Sequence, residues 1–127
     1  YSAACVQAAP VAFDTARTLE KTRDLAADAA RAGARLVLFP EAFVSAYPRG
    51  TNFGAAIGAR TPEGREQFRI YHQSSIDVPG PAVDALARIA LQNKIHLVMG
   101  VIEREGGTLY CTILFFGPDG RYLGKHR

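Results

Sequence analysis

Residues 36–39, Leu-Val-Leu-Phe, set four apolar side chains in a row three positions after Gly33, and Pro40-Glu41 follows at once. An apolar run this short, bounded by turn residues, reads as a strand buried on both faces. Proline has no N–H to give to a sheet ladder, so Pro40 ends the strand. Glu41 is thereby placed at the carboxyl end of an interior strand, where open α/β sheets bind ligands and carry reacting side chains. A carboxyl group half out of water holds its proton more firmly, which suits a general base. By position alone the same glutamate also reads as a helix cap or a solvated side chain, and that structural alternative ranks first.

The residues on either side organise a sheet around this strand. Ala3 to Ala8 is an apolar run ending before Pro10 and reads as a first strand. Asp14 or Thr15 caps a helix running to about Ala32, and Gly33 closes it. Ala16, Leu19, Ala26 and Ala29 or Ala30 form a narrow stripe on that helix, suited to close packing on a sheet. Strand, helix, strand over Ala3 to Phe39 is a βαβ unit with a parallel pair. The Gly- and aromatic-rich stretch from Tyr47 to Ala59 is expected to be irregular and to wall the end of the Glu41 strand. Thr61 caps a second helix, with Pro62 at its first position, running to about Ser75. Phe68, Tyr71 and His72 share one face of it, and His72 reads as a packed or capping histidine before a ligand. Val78-Pro79-Gly80-Pro81 breaks the chain, and Pro81 begins a third helix with Val83, Leu86, Ala87 and Ala90 inward. Ile95 to Ile102 is an interior strand, with His96 satisfied by core hydrogen bonds. Gly106-Gly107 then turns the chain into Thr108 to Phe116, and Gly117-Pro118-Asp119-Gly120 turns it again into Arg121 to Lys125.

Several function classes are excluded at this level. The 127 residues carry a formal charge of only +3, and the basic residues are scattered. Arg17, Arg23, Arg31 and Arg35 are interleaved with Glu20, Asp24 and Asp28, the pattern of a solvated helix face. Nucleic-acid binding needs a clustered basic face with aromatics, which is not found. No apolar run approaches a membrane span, and no signal-peptide pattern precedes the first strand. Cys5 and Cys111 both lie in apolar strand-like runs, so they read as free buried thiols of a reducing, cytoplasmic compartment. A chain of this size is one domain or part of one. Tyr1 at one end and a basic run interrupted at Arg127 at the other read as cut ends.

Leu36-Val37-Leu38-Phe39-Pro40-Glu41, with Tyr47-Pro48-Arg49-Gly50 a few residues on, resembles the glutamate motif of the nitrilase (carbon–nitrogen hydrolase) family. Further runs agree with the nitrilase branch in the same order: Val6-Gln7-Ala8-Ala9, Ile76-Asp77-Val78-Pro79-Gly80-Pro81, Leu97-Val98-Met99-Gly100, Thr108-Leu109-Tyr110-Cys111-Thr112 and Leu123-Gly124-Lys125-His126-Arg127. The resemblance covers essentially the whole chain. It implies an α/β fold, part of an α-β-β-α sandwich with a mixed sheet and flanking helices. Residues 1–127 would be the amino-terminal portion of a single carbon–nitrogen hydrolase domain.

The chemistry it implies is hydrolysis of an organic nitrile to a carboxylic acid and ammonia by a Glu, a Lys and a Cys. A thiol attacks the nitrile carbon to form a thioimidate, water displaces ammonia, and hydrolysis of the thioester frees the acid. Such a reaction needs a base, a positive group for charge developing on nitrogen and a soft nucleophile, and no metal or organic cofactor. Glu41 matches the base. Lys125-His126-Arg127 resembles the start of the lysine motif, whose catalytic lysine follows the arginine. Three positions along a strand span about 10 Å and reverse the face, so Lys125 is no substitute and reads as solvated or supporting. The nucleophilic cysteine belongs to a later motif, which Cys5 and Cys111 do not match. Tyr47 matches the aromatic loop after the glutamate and is a candidate for lining the substrate pocket, with surface packing the equal alternative. The family alternatives are an amidase or a cyanide-processing hydrolase. If the chain truly ends at Arg127, a non-catalytic module pairing through its open sheet is a further one. The implied partners are a small nitrile and further copies of the protein, with neither nucleic acid nor membrane.

Overall fold

A computed structural model describes residues 1–56 and 59–127, and the backbone alone at 55, 56, 59 and 60. Its central element is a five-stranded mixed sheet in the order β1-β2-β5-β6-β7. β1 (Ala3–Cys5), β2 (Leu36–Leu38) and β5 (His96–Glu105) run parallel. β6 (Thr108–Phe116) and β7 (Tyr122–His126) complete an antiparallel meander. Two further pairs of residues, β3 (Ala55–Ala56) and β4 (Ala59–Arg60), form a small separate antiparallel pair inside the stretch expected to be irregular. Positions 57 and 58 of that stretch lie outside the described residues.

Two of the three helices begin at a side-chain cap, and the third begins at a proline. Asp14 accepts from the Arg17 N–H at 2.9 Å and starts α1 (Thr15–Arg31). Thr61 accepts from the Gly64 N–H at 3.0 Å and starts α2 (Pro62–Ser74), with Pro62 in the first turn. Pro81 opens α3 (Pro81–Asn93), which stops at Lys94 in the left-handed region. After α1, Gly33 takes φ +91°, a conformation in which a side chain is strained.

Alternation along the sheet fixes its two faces. Val37, Leu97, Met99, Val101, Leu114 and Phe116 point to one side and form the main core with Ala26 of α1 and Val83, Leu86 and Ala90 of α3. The innermost positions of α1 are Thr18, Thr22 and Ala26, whereas Ala16 of the expected alanine stripe is exposed. The two threonines can be inward because their hydroxyls are satisfied locally. Thr18 Oγ1 donates to the Val11 carbonyl at 2.9 Å, and Thr22 Oγ1 donates to the Thr18 carbonyl at 2.8 Å.

The other face of the sheet is largely uncovered, which corrects two expectations. β2 is buried on one face only: Val37 is 0% exposed, but Leu38 is 39% exposed. Cys5 and Cys111 are free thiols and exposed, not buried. The reason is common to both. α1 and α3 pack on a single face, and α2 lies beside the carboxyl end of β5. There Tyr71 and Phe53 join Ala42, Ile102 and Leu109 in a small second cluster.

Candidate functional site

Glu41 sits in the turn that follows β2. The Phe39 N–H makes the strand's last bond, to the Val98 carbonyl at 2.9 Å. The chain then lifts off β5 and returns to it at Val44, whose N–H donates to the Gly100 carbonyl at 3.2 Å. This excursion lies directly on Gly100. A Cβ there would stand 2.2 Å from the Pro40 oxygen and 2.7 Å from the Glu41 Cα, so only glycine lets the turn settle. Its two flanks are anchored: Phe43 packs edge-on against Phe39 at 5.1 Å in the main core, and Ala42 is buried in the second cluster. Glu41 itself is left exposed on the uncovered face.

A shallow cavity of about 550 Å³ opens in front of it, mostly apolar, lined by residues that include Cys5, Leu38, Pro40, Ile113 and His126. Cys111, opposite Ile102 across the β5–β6 ladder, reaches the same place from β6. Its Sγ donates to Glu41 Oε1 at 3.2 Å. Although the residue is exposed overall, partial desolvation of its Sγ against the Glu41 turn pushes the Cys111 thiol up to about 11, and the hydrogen bond and negative charge of Glu41 push in the same direction. At neutral pH that thiol is protonated: a neutral donor, and a poor nucleophile. The phenol of Tyr71 is pushed up to about 12 by burial first and then by Cys111 and Tyr47. Tyr47 is 65% exposed and is not among the residues lining the cavity.

β7 borders the site from the far side, and its alternation separates two functions. His126 pairs with Ile113 on the Glu41 face. Lys125 and Arg127 turn to the helix-covered face, where both meet Glu103. That carboxylate is 1% exposed and also accepts from Thr112 Oγ1 at 2.9 Å and Arg127 Nη2 at 2.7 Å. Arg127, then burial acting in opposition, then Lys125 and Thr112 set its pKa, which falls to about 2. Arg127 also lies 3.8 Å over the Tyr110 ring. Lys125 therefore faces away from Glu41 and is paired with Glu103. His72 bonds the Gly106 carbonyl through Nε2 at 3.1 Å and joins α2 to the β5–β6 turn, a packing role.

Three residues of this arrangement escaped the sequence reading: Gly100, Glu103 and Cys111. A glycine inside an apolar strand signals close backbone approach, so Gly100 was readable. Counting back from the Gly106-Gly107 turn pairs Ile102 with Cys111 and Glu103 with Tyr110, but the pairing alone does not say that Glu41 stands over Cys111.

The sequence profile described as carbon-nitrogen hydrolase matches residues 2–127. The chain belongs to the carbon–nitrogen hydrolase family. Among curated members, it is 61% identical over 125 residues to a bifunctional nitrilase/nitrile hydratase of Lupinus angustifolius, covering 98% of this chain and 36% of that one. It is 57% identical over 122 residues to nitrilase 3 of Arabidopsis thaliana, covering 96% of this chain and 35% of that one. The chain thus spans about a third of the length of these relatives. In structure it resembles an amidase from Nesterenkonia sp., with a TM-score of 0.66 and 23% identity over 98% of this chain and 41% of the amidase. A carbon-nitrogen hydrolase from Helicobacter pylori superposes with a TM-score of 0.61 at 19% identity, covering 98% of this chain and 38% of the other. At these identities the likeness establishes the shared fold. The family's mixed sheet with flanking helices is the architecture seen here. No helix among the described residues is long and apolar enough to cross a membrane.

Proposed function

We propose that the protein carrying this chain is a nitrilase, that residues 1–127 are the amino-terminal portion of its single hydrolase domain, and that Glu41 is its general base. The observation that carries this is the placement of Glu41: an exposed carboxylate on a rigid turn, facing an apolar cavity at the carboxyl end of the parallel strands. Relatives named nitrilases at 61% and 57% identity support the substrate class. An apolar cavity suits the organic group of a nitrile, which is desolvated on binding while the carboxylate keeps the proton-accepting oxygens at the reacting end.

In this mechanism Glu41 takes the proton of a thiol supplied from outside the present 127 residues. The thiolate adds to the nitrile carbon, and the nitrogen gains the proton to give a thioimidate. Water then adds, ammonia leaves, and a second water releases the acid from the thioester. A positive group must meet the charge on nitrogen. By the family pattern this is a lysine directly after Arg127. With His126 on the Glu41 face and Lys125 and Arg127 on the other, strand alternation sends the next side chain to the Glu41 face. Tyr47, which does not line the cavity formed by these residues, is proposed to reach the substrate in the intact protein. The enzyme is further proposed to be cytoplasmic and homo-oligomeric.

That the lupin relative is a bifunctional nitrilase/nitrile hydratase favours a second product. If the tetrahedral adduct expels the thiol in place of ammonia, the amide is released. The test is to supply the intact protein with aliphatic, aryl and arylacetonitriles and to quantify ammonia, acid and amide. Acid with one equivalent of ammonia from at least one nitrile is expected, with some amide. Turnover of amides but of no nitrile would replace this function with an amidase.

A further inference from the structure

We propose that Cys111 is a positioning residue for Glu41, its S–H holding Oε1 so that Oε2 is the oxygen that takes the proton. This rests on the assignment of Glu41 as the base. A glutamate side chain has three rotatable bonds, and Glu41 projects from a turn into open space, where rotamer freedom would spread its carboxylate over several positions. Among the described residues, Cys111 is the side chain that hydrogen-bonds it, at 3.2 Å. Both ends of that contact are fixed by backbone. Cys111 lies within β6, paired with Ile102, and the Glu41 turn rests on Gly100.

The chemistry of the donor matters as much as its place. A lysine or arginine here would form a charge-assisted pair and draw down the basicity that the reaction uses. A neutral thiol is a weak donor that orients without neutralising. It also keeps its own proton at neutral pH, since partial desolvation and the Glu41 charge hold the thiol up to about 11, so it does not compete as a nucleophile. Merely filling a strand position would require none of this, and the two roles diverge under mutation.

The test is a double-mutant cycle in the intact protein, following ammonia release from a nitrile it turns over. Cys111→Ala is expected to lower kcat about 5- to 30-fold with KM within about twofold, as misorientation of a catalytic group does. Cys111→Ser, which keeps a donor, should recover most of that loss. In a Glu41→Gln background, Cys111→Ala should cost less than about twofold, because its effect acts through Glu41. Wild-type kcat in Cys111→Ala, or the same loss in both backgrounds, overturns the proposal. A second measurement reads the contact without turnover: alkylation of Cys111 by iodoacetamide, followed by peptide mass spectrometry. Replacing the Glu41 anion should speed it about fivefold or more at pH 8, since thiolate becomes easier to form. An unchanged rate overturns the contact. A folded Glu41→Gln enzyme at wild-type rate would instead remove the base assignment, so the two failures are distinguishable.

Discussion

Gly100 and Glu41 show how one missing side chain can set the position of another. Pro40, Glu41 and Ala42 lie within a methyl group's reach of the Gly100 Cα, and Ala42 takes φ +49° as the chain passes over. Gly100→Ala forces a carbon to within 2.2 Å of a backbone oxygen, which no rotamer change relieves. We expect it to destabilise the fold by about 2 kcal/mol or more, in the range of overpacked interiors, and to move Glu41 off the sheet. Denaturant midpoints of the wild type and the variant measure the first effect, and ammonia release by whatever folded variant remains measures the second. An Ala variant of unchanged midpoint would show that the turn is not seated as described.

At the scale of elements, β7 is held to β6 and β5 by side chains as well as by its ladder. Glu103 binds Lys125 and Arg127, and His126 between them lines the cavity. The Arg104–Asp77 pair, with bonds of 2.8 Å from Nε and Nη2, ties the Ile76-Asp77-Val78 run to β5 in a similar way. Glu103 makes the stability of this region depend on pH. Its carboxyl falls from an ordinary 4.5 to about 2 in the folded state, so between those values the unfolded chain holds a proton that the folded chain does not. Its contribution is full above about pH 4.5 and is lost as pH falls toward 2. Urea midpoints of the wild type should therefore drop across that interval, and Glu103→Gln should show a shallower drop. At pH 7 the substitution should cost about 1–3 kcal/mol, moderated because Lys125 and Arg127 are partly exposed and can rehydrate. Parallel acid profiles in the two proteins would contradict this role.

For the whole molecule, the uncovered sheet face is the dominant feature. Leu38 at 39% and Phe115 at 36% exposure stand on it together with Cys5 and the cavity. Apolar faces of this kind favour association beyond a few hundred Å². Residues 1–127 expressed alone are expected to elute as oligomers or aggregate and to release no ammonia from any nitrile. A monomer with a sharp cooperative melt would contradict the first expectation, and ammonia release would contradict the second.

The strands and helices were legible in the sequence because each carries its own local signal. Apolar runs marked β2, β5 and β6, Asp14 and Thr61 marked helix starts, and Gly106-Gly107 marked the hairpin. The position of Glu41 was legible for the same reason, as the residue after a strand that a proline ends. Which face of the sheet is covered was not legible. Leu38 and Val37 look alike in a run of apolar residues, and only the docking of α1 and α3 on the Val37 side tells them apart. The same blindness hid Cys111, read as buried because its neighbours are apolar, though it faces the open side and Glu41.

The central claim is that Glu41 is the base of the reaction. Glu41→Gln in the intact protein keeps the shape of the side chain and removes the basic oxygen. The decisive measurement is the initial rate of ammonia release from a good nitrile substrate by wild type and Glu41→Gln, with circular dichroism spectra matched as the control for folding. A loss on the order of 10² to 10⁴ is predicted, the span associated with a general base. A folded Glu41→Gln protein releasing ammonia at close to the wild-type rate would contradict it.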